Sequence, residues 1–187
     1  MSEYRLLIDG ELVPGDLTME VVNPANEQVL AMAPRASQAQ AEAAIAAAKA
    51  AFPGWAARPI KARRALILAV ADRIEAEAED LARLLTQEQG KPLPEAQAEI
   101  LYTCAFIRHL AGYDLPVKVI EDNDNRLVRQ FRKPLGVVAA IIPWNFPVLI
   151  VAFKLPLALL AGNTMVVKPA PTTPLTTLRL GEIMADV

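Results

Sequence analysis

Gly136-Val137-Val138-Ala139-Ala140-Ile141-Ile142 runs into Pro143-Trp144-Asn145-Phe146-Pro147, and Thr164-Met165-Val166-Val167 runs into Lys168-Pro169-Ala170-Pro171. Each is a short apolar run of β character that stops at a proline-rich loop carrying one polar donor, Asn145 in the first and Lys168 in the second. Between them, residues 148–160 form an apolar stretch of helix length. Strand, helix and strand make one βαβ unit, so the chain is read as α/β with a parallel pair at this point. In a parallel sheet both loops open at the carboxyl edge, where open α/β sheets bind ligands. Asn145 and Lys168 are therefore expected to face one crevice.

Upstream the pattern is helical. Leu6-Leu7-Ile8 and Glu11-Leu12-Val13 flank Asp9-Gly10, a dipeptide that accepts positive φ, which predicts a hairpin; a further short strand is expected near residues 20–22. Ser37 and Gln40 have capping-box spacing, and the alanine-rich run from there to Phe52 predicts a helix stopped by Pro53-Gly54. Pro59 suits the first position of a second helix, with Leu66, Ala69, Val70 and Ile74 at three- and four-residue steps. Leu81, Leu84, Leu85 and Glu88 continue a third, which Gly90 ends just before Pro92; a fourth covers residues 95–112. Beyond Pro116, residues 117–120 and 126–131 read as two short strands around a charged, exposed tip at 121–125. The second alternates Leu127, Arg129, Phe131 with Val128, Gln130, Arg132, so neither face is cleanly polar. Such a strand either meets a covering surface or forms a plain edge hairpin.

Composition narrows the function classes. The chain has 187 residues, 53% hydrophobic and 21% charged, enough for a core of its own and typical of a soluble globular protein. A net charge of −2 and the lack of any Lys/Arg cluster interleaved with aromatics argue against nucleic acid as a partner. Residues 148–160 are too few to span a bilayer and are interrupted by Lys154 and Pro156, so no membrane partner is expected. The first residues contain no apolar signal-like segment, which makes cytoplasmic localisation the default expectation. One cysteine, Cys104, excludes an internal disulfide and a multi-cysteine metal site, and no metal is expected. Apolar residues at helical spacing surround it, which reads as a buried helix face, and His109, five positions on, points elsewhere. No Gly-x-Gly-x-x-Gly follows the first strand of the βαβ unit. Glu88, Glu95 and Glu99 near Lys91 read as a solvated helix-end face.

Two residues remain with chemistry to offer. Asn145 is either a non-titrating donor for a developing oxyanion or the N-cap of the helix that follows it. Lys168 is either a solvated lysine or a ligand for ribose hydroxyls or a phosphate.

Residues 136–147, Leu160-Ala161-Gly162-Asn163-Thr164-Met165-Val166-Val167-Lys168-Pro169 and Thr173-Pro174-Leu175 together resemble the NAD(P)-dependent aldehyde dehydrogenase superfamily. Asn23-Pro24-Ala25, Ala51-Phe52-Pro53-Gly54-Trp55 and Glu88-Gln89-Gly90-Lys91-Pro92 match its amino-terminal half in the correct order. The resemblance implies the amino-terminal part of a Rossmann-like cofactor-binding domain with a β-hairpin oligomerisation arm. It divides the chain into a helical part of that domain (1–115), the arm strands (116–133) and a first βαβ unit, truncated (134–187).

By the same resemblance Asn145 is the catalytic donor that helps hold the aldehyde oxygen. Lys168 is the adenosine-ribose ligand, and Ile141, Ile142, Pro143 and Trp144 wall the nicotinamide side of the cofactor. Many NAD-preferring members carry Glu three positions after this lysine; here Pro171 stands instead, so NAD, slightly favoured, and NADP both remain admissible. Thr172 and Thr173 are candidate hydroxyl donors nearby. The family reaction is thiolate attack on an aldehyde, hydride transfer to the nicotinamide and hydrolysis of the thioester to a carboxylic acid. Its nucleophilic Cys, general-base Glu and pyrophosphate-binding helix lie downstream of the segments matched here. Two readings follow: an enzyme whose activity belongs to a longer polypeptide, homo-oligomeric as a dimer or tetramer, or a non-catalytic fragment or partner chain.

Overall fold

The computed structural model describes residues 4–187. β1 (Leu6–Ile8) and β2 (Glu11–Val13) form the expected hairpin, with Asp9 and Gly10 at φ 56° and 78°, the left-handed pair a two-residue turn requires. β3 (Leu17–Asn23) is longer than expected and pairs antiparallel with β4 (Gln28–Arg35), a strand the sequence reading lacked. Asn23 and Asn26 make the turn between them by accepting the Ala25 and Gln28 amides on their side chains.

Four helices follow. α1 (Gln38–Ala57) starts at the Ser37–Gln40 capping box but runs through Pro53, against the expected stop. The turn beyond the proline is held from outside: Trp55 Nε1 donates to Leu159 O at 3.0 Å and Arg63 Nη1 to Ala56 O at 3.2 Å. The stop comes at Arg58, extended at ψ 140° because Pro59 follows it. α2 (Ile60–Ala76) has Pro59 as N-cap, and its buried stripe is Arg63, Ile67, Ala71 and Ile74; Leu66, Ala69 and Val70 are only half-buried. α3 (Ala78–Gln89) ends at Gly90, left-handed at φ 89°. α4 (Leu93–Ala111) turns Ala96, Glu99, Ile100, Thr103, Cys104 and Ile107 inward.

β5 (Lys118–Asn123) and β6 (Arg126–Gln130) form a hairpin with a tighter tip than expected, Asp124-Asn125 alone. Val119, Ile120, Leu127 and nearby Phe131 are exposed, and the extensive contacts of the two strands are with each other.

The βαβ unit is β7 (Val137–Ile141), α5 (Pro147–Leu160) and parallel β8 (Thr164–Lys168), followed by α6 (Leu175–Ala185). Alternation along β8 assigns its two faces. Thr164 Oγ1 donates to Ala48 O of α1 at 2.7 Å, whereas Met165 and Val167 pack on the core cluster that includes Val148, Val151, Ala152 and Leu155 of α5. Asn163 ties the two strands at their start: its Oδ1 accepts the Leu135 and Gly136 amides at 2.7 and 3.1 Å, and its Nδ2 donates to Ala158 O at 3.2 Å. Buried residues of α2, α3 and α4 share that core with α5.

Candidate functional site

The register of the parallel pair sets the geometry. Ile141 is opposite Lys168, and the Ile142 amide donates to Lys168 O at 3.0 Å. Parallel partners share a face, so Ile141 and Lys168 lie side by side on the face turned away from the core, at the carboxyl edge. Ile141 is 70% exposed and Trp144 60%, whereas Ile142 is 2% exposed, with its side chain in the core. Pro143 and Asn145 are exposed. Lys168 Nζ donates to the neighbouring Pro169 O at 3.0 Å, which leaves further ammonium donors directed to solvent.

Asn145 is not the N-cap of α5. Phe146 occupies that position without a side-chain cap, and Glu99 of α4 serves instead: its Oε1 accepts the Val148 and Leu149 amides, both at 3.1 Å. Among the described residues the Asn145 carboxamide has no hydrogen-bond partner, but its backbone carbonyl accepts Lys91 Nζ at 3.2 Å and Gln89 Nε2 at 3.4 Å. Lys91 Nζ also pairs with Glu99 and sits 4.3 Å above the Phe146 ring centroid.

The glutamates therefore correct the sequence reading. Glu95 is exposed, but Glu88 and Glu99 are 3% and 2% exposed. Glu88 does for α6 what Glu99 does for α5, accepting the Leu175 and Thr176 amides at 2.7 and 3.0 Å and the Thr176 hydroxyl. The first amides of a helix have no partner within it, so a carboxyl oxygen from a neighbouring helix satisfies them there. Desolvation raises the Glu88 carboxyl to about 7, and its three donors pull against that rise. At the other end of α5, Arg63 donates to Leu160 O from Nε and Nη2 at 3.1 and 3.0 Å. A signal for these residues was present: Glu88 lies at helical spacing from Leu81 and Leu85, and Glu99 from Ala96 and Ile107, on stripes that are mostly apolar.

Cys104 is 1% exposed, and burial pushes its thiol up to about 11. It is no nucleophile at neutral pH. Thr173, a candidate donor by sequence, is 2% exposed with its hydroxyl unpaired inside the protein, so it does not reach the open edge; Thr172 and Pro171 are exposed. A shallow depression of about 530 Å³, bordered by Ala56, Arg63, Asp114, Arg132 and Pro134, lies by the end of α5 and the segment leading into β7, away from the Asn145–Lys168 edge.

Residues 13–187 match the profile of the aldehyde dehydrogenase family. The chain belongs to that family. Among curated relatives, it is 42% identical over 168 residues to the 3,6-anhydro-alpha-L-galactose dehydrogenase of Streptomyces coelicolor, covering 89% of this chain and 34% of that protein. It is 40% identical to the NADP(+) succinate-semialdehyde dehydrogenase of Escherichia coli, covering 98% of this chain and 39% of that one. PnpE from Pseudomonas sp. WBC-3, solved in complex with nicotinamide adenine dinucleotide, superimposes with a TM-score of 0.93 at 38% identity, over 99% of this chain and 39% of PnpE. The chain thus spans little more than a third of the length of these proteins, and its fold is the amino-terminal, cofactor-binding portion of an aldehyde dehydrogenase. Among the described residues, no helix is long and apolar enough to cross a membrane.

Proposed function

We propose that this chain supplies the oxyanion donor and one wall of the nucleotide site in a protein that oxidises an aldehyde to a carboxylic acid with NAD(P)+. The observation that carries the reading is the Asn145 carboxamide, exposed and free of partners among the described residues while its backbone is clamped, at the same sheet edge as Lys168. Asn145 Nδ2 donates to the aldehyde oxygen as it gains negative charge, and because the amide does not titrate, its contribution is independent of pH. The residues fit a dinucleotide: Ile141 and Trp144 offer exposed apolar surface beside Pro143, Ile142 backs that wall from the core, and Lys168 offers ammonium donors suited to ribose hydroxyls. A dinucleotide held there would supply the hydride acceptor for the substrate carbon. Pro171 places no carboxylate near Lys168, so a 2′-phosphate is tolerated and NADP is admissible beside NAD.

The isolated 187-residue chain is inactive in this reading, acting as a non-catalytic fragment or partner chain. Its lone thiol is buried and protonated, and binding energy does not replace a missing nucleophile. The β5–β6 hairpin, with Val119, Ile120, Leu127 and Phe131 exposed, packs on another subunit of a dimer or tetramer.

The test is aldehyde-dependent formation of NAD(P)H by the protein that carries this chain. Asn145→Ala is expected to lower kcat by about 10²–10³, the usual cost of one oxyanion donor. Full activity in that variant refutes the role of Asn145, and turnover by the 187-residue chain above a Cys104→Ala control refutes its inactivity.

A further inference from the structure

The Gln89-Gly90-Lys91 turn reaches across from the end of α3 to the loop that carries Asn145. Gly90 is required for that reach: at φ 89° it is in the left-handed region, and a Cβ there would sit 2.8 Å from Pro24 Cγ. The Lys91 amide donates to Gln89 Oε1 at 3.0 Å, which folds the Gln89 side chain over the turn, and Gln89 Nε2 then reaches Asn145 O. The Lys91 side chain is 8% exposed, and that of Glu99 is fully buried. The ammonium has three neighbours: the Glu99 carboxylate, the Asn145 carbonyl and the face of Phe146. Glu99 spends its other oxygen on the first two free amides of α5, so one carboxylate fixes both the lysine and the helix that begins two residues after Asn145.

A buried ion pair is a poor device for stability alone, because desolvation offsets most of its attraction. This one, however, spends its remaining donor on a backbone carbonyl at an exposed loop. The peptide oxygen of residue 145 is held from two sides, by Lys91 and Gln89, and the start of the next helix from a third, by Glu99; among the described residues the Asn145 side chain itself has no bond. Fixing the carbonyl restrains the backbone from which the Asn145 side chain projects, and so the range of positions its carboxamide can take, while leaving its donors free.

We propose that Lys91, seated by Glu99 and assisted by Gln89, is a positioning residue that orients the Asn145 carboxamide for oxyanion binding. This rests on the reading of Asn145 given above. Lys91 touches neither substrate nor cofactor and acts through Asn145 alone.

A double-mutant cycle in the catalytically competent protein that carries this chain tests it. Lys91→Met keeps the aliphatic stem and removes the donor; kcat is expected to fall about tenfold to hundredfold, the scale of a misplaced catalytic group, with KM for aldehyde and nucleotide little changed. Lys91→Arg restores most of kcat. The decisive result is in the Asn145→Ala background, where Lys91→Met is expected to cost nothing further. An equal loss in both backgrounds, or unaltered kcat in the single variant, overturns the proposal. An Asn145→Ala enzyme of full activity overturns instead the oxyanion reading beneath it. Gln89→Ala, which removes the other donor to the same carbonyl, provides the same cycle where Lys91→Met folds poorly. On the 187-residue chain itself, the Asn145 side-chain amide resonances are expected to shift and broaden in Lys91→Met; resonances identical to the parent overturn the proposal without reference to turnover.

Discussion

Glu88 is expected to make the stability of this chain fall as pH rises from about 4.5 to about 7. Its carboxyl is 3% exposed, and burial raises it from 4.5 to about 7 even though two amides and a hydroxyl donate to it. Below about pH 4.5 the group is protonated in both folded and unfolded chains and contributes in full. Between about 4.5 and 7 the folded chain keeps a proton that the unfolded chain has released, so unfolding becomes easier with each increment of pH. The shift of about 2.5 units, at about 1.4 kcal/mol per unit, corresponds to a loss of about 3 kcal/mol across that window. Glu88→Gln is nearly isosteric and does not titrate. It loses about 1–3 kcal/mol by turning an amide donor toward the α6 amides, a loss that is the same at every pH. Urea unfolding of parent and variant at pH 5, 6, 7 and 8 isolates the carboxyl, because groups common to both cancel. The parent's advantage is expected to be largest at pH 5 and to shrink by about 2.5 kcal/mol by pH 8, a little of the loss having already occurred below pH 5. An advantage that is flat or grows with pH refutes the reasoning and shows that the three donors and the α6 dipole outweigh desolvation, with Glu88 charged throughout.

Three further outcomes are expected. Gly90→Ala, with φ 89° and a Cβ 2.8 Å from Pro24 Cγ, should lower the urea midpoint by an amount worth about 2 kcal/mol; an unchanged midpoint would show that the turn relaxes. Cys104, with a thiol near 11, has about one part in a thousand thiolate at pH 8, so iodoacetamide should label it only as fast as the chain unfolds; prompt native-state labelling contradicts its burial. Pro171→Glu in the competent protein should lower the NADP-to-NAD ratio of kcat/KM about tenfold through repulsion of the 2′-phosphate, and an unaltered ratio would place the adenosine ribose away from Lys168.

Where the sequence was legible, the signal was local. Asp9-Gly10 accepts the two positive φ angles of its turn, Ser37 and Gln40 satisfy each other's amides, and Gly90 ends α3, each within a few residues of chain. The strands around Asn145 and Lys168 were legible because short apolar runs ended by proline-rich loops, with a helix-length apolar stretch between them, leave few alternatives to a parallel βαβ unit. β4 escaped because residues 28–35 mix Ala, Met and Pro34 with few β-branched side chains, and the strand exists through its partner β3. Pro53 misled for a similar reason: local propensity ends the helix there, whereas Trp55 and Arg63 hold the next turn to Leu159 and Ala56 across the fold.

By itself the sequence determined the family, the parallel βαβ unit and the short list of residues with chemistry to offer, because these are written as contiguous motifs. Only the tertiary structure decided that Glu88 and Glu99 are buried helix caps and not a solvated face, and that Asn145 is released from capping α5. It also decided that Lys91 grips the Asn145 backbone. The partners in these contacts are 49 to 88 residues apart in sequence. Sequence spacing carries no signal over that distance; it is the packing of α3 and α4 beside α5 and α6 that brings a carboxylate to a helix end and makes its burial tolerable.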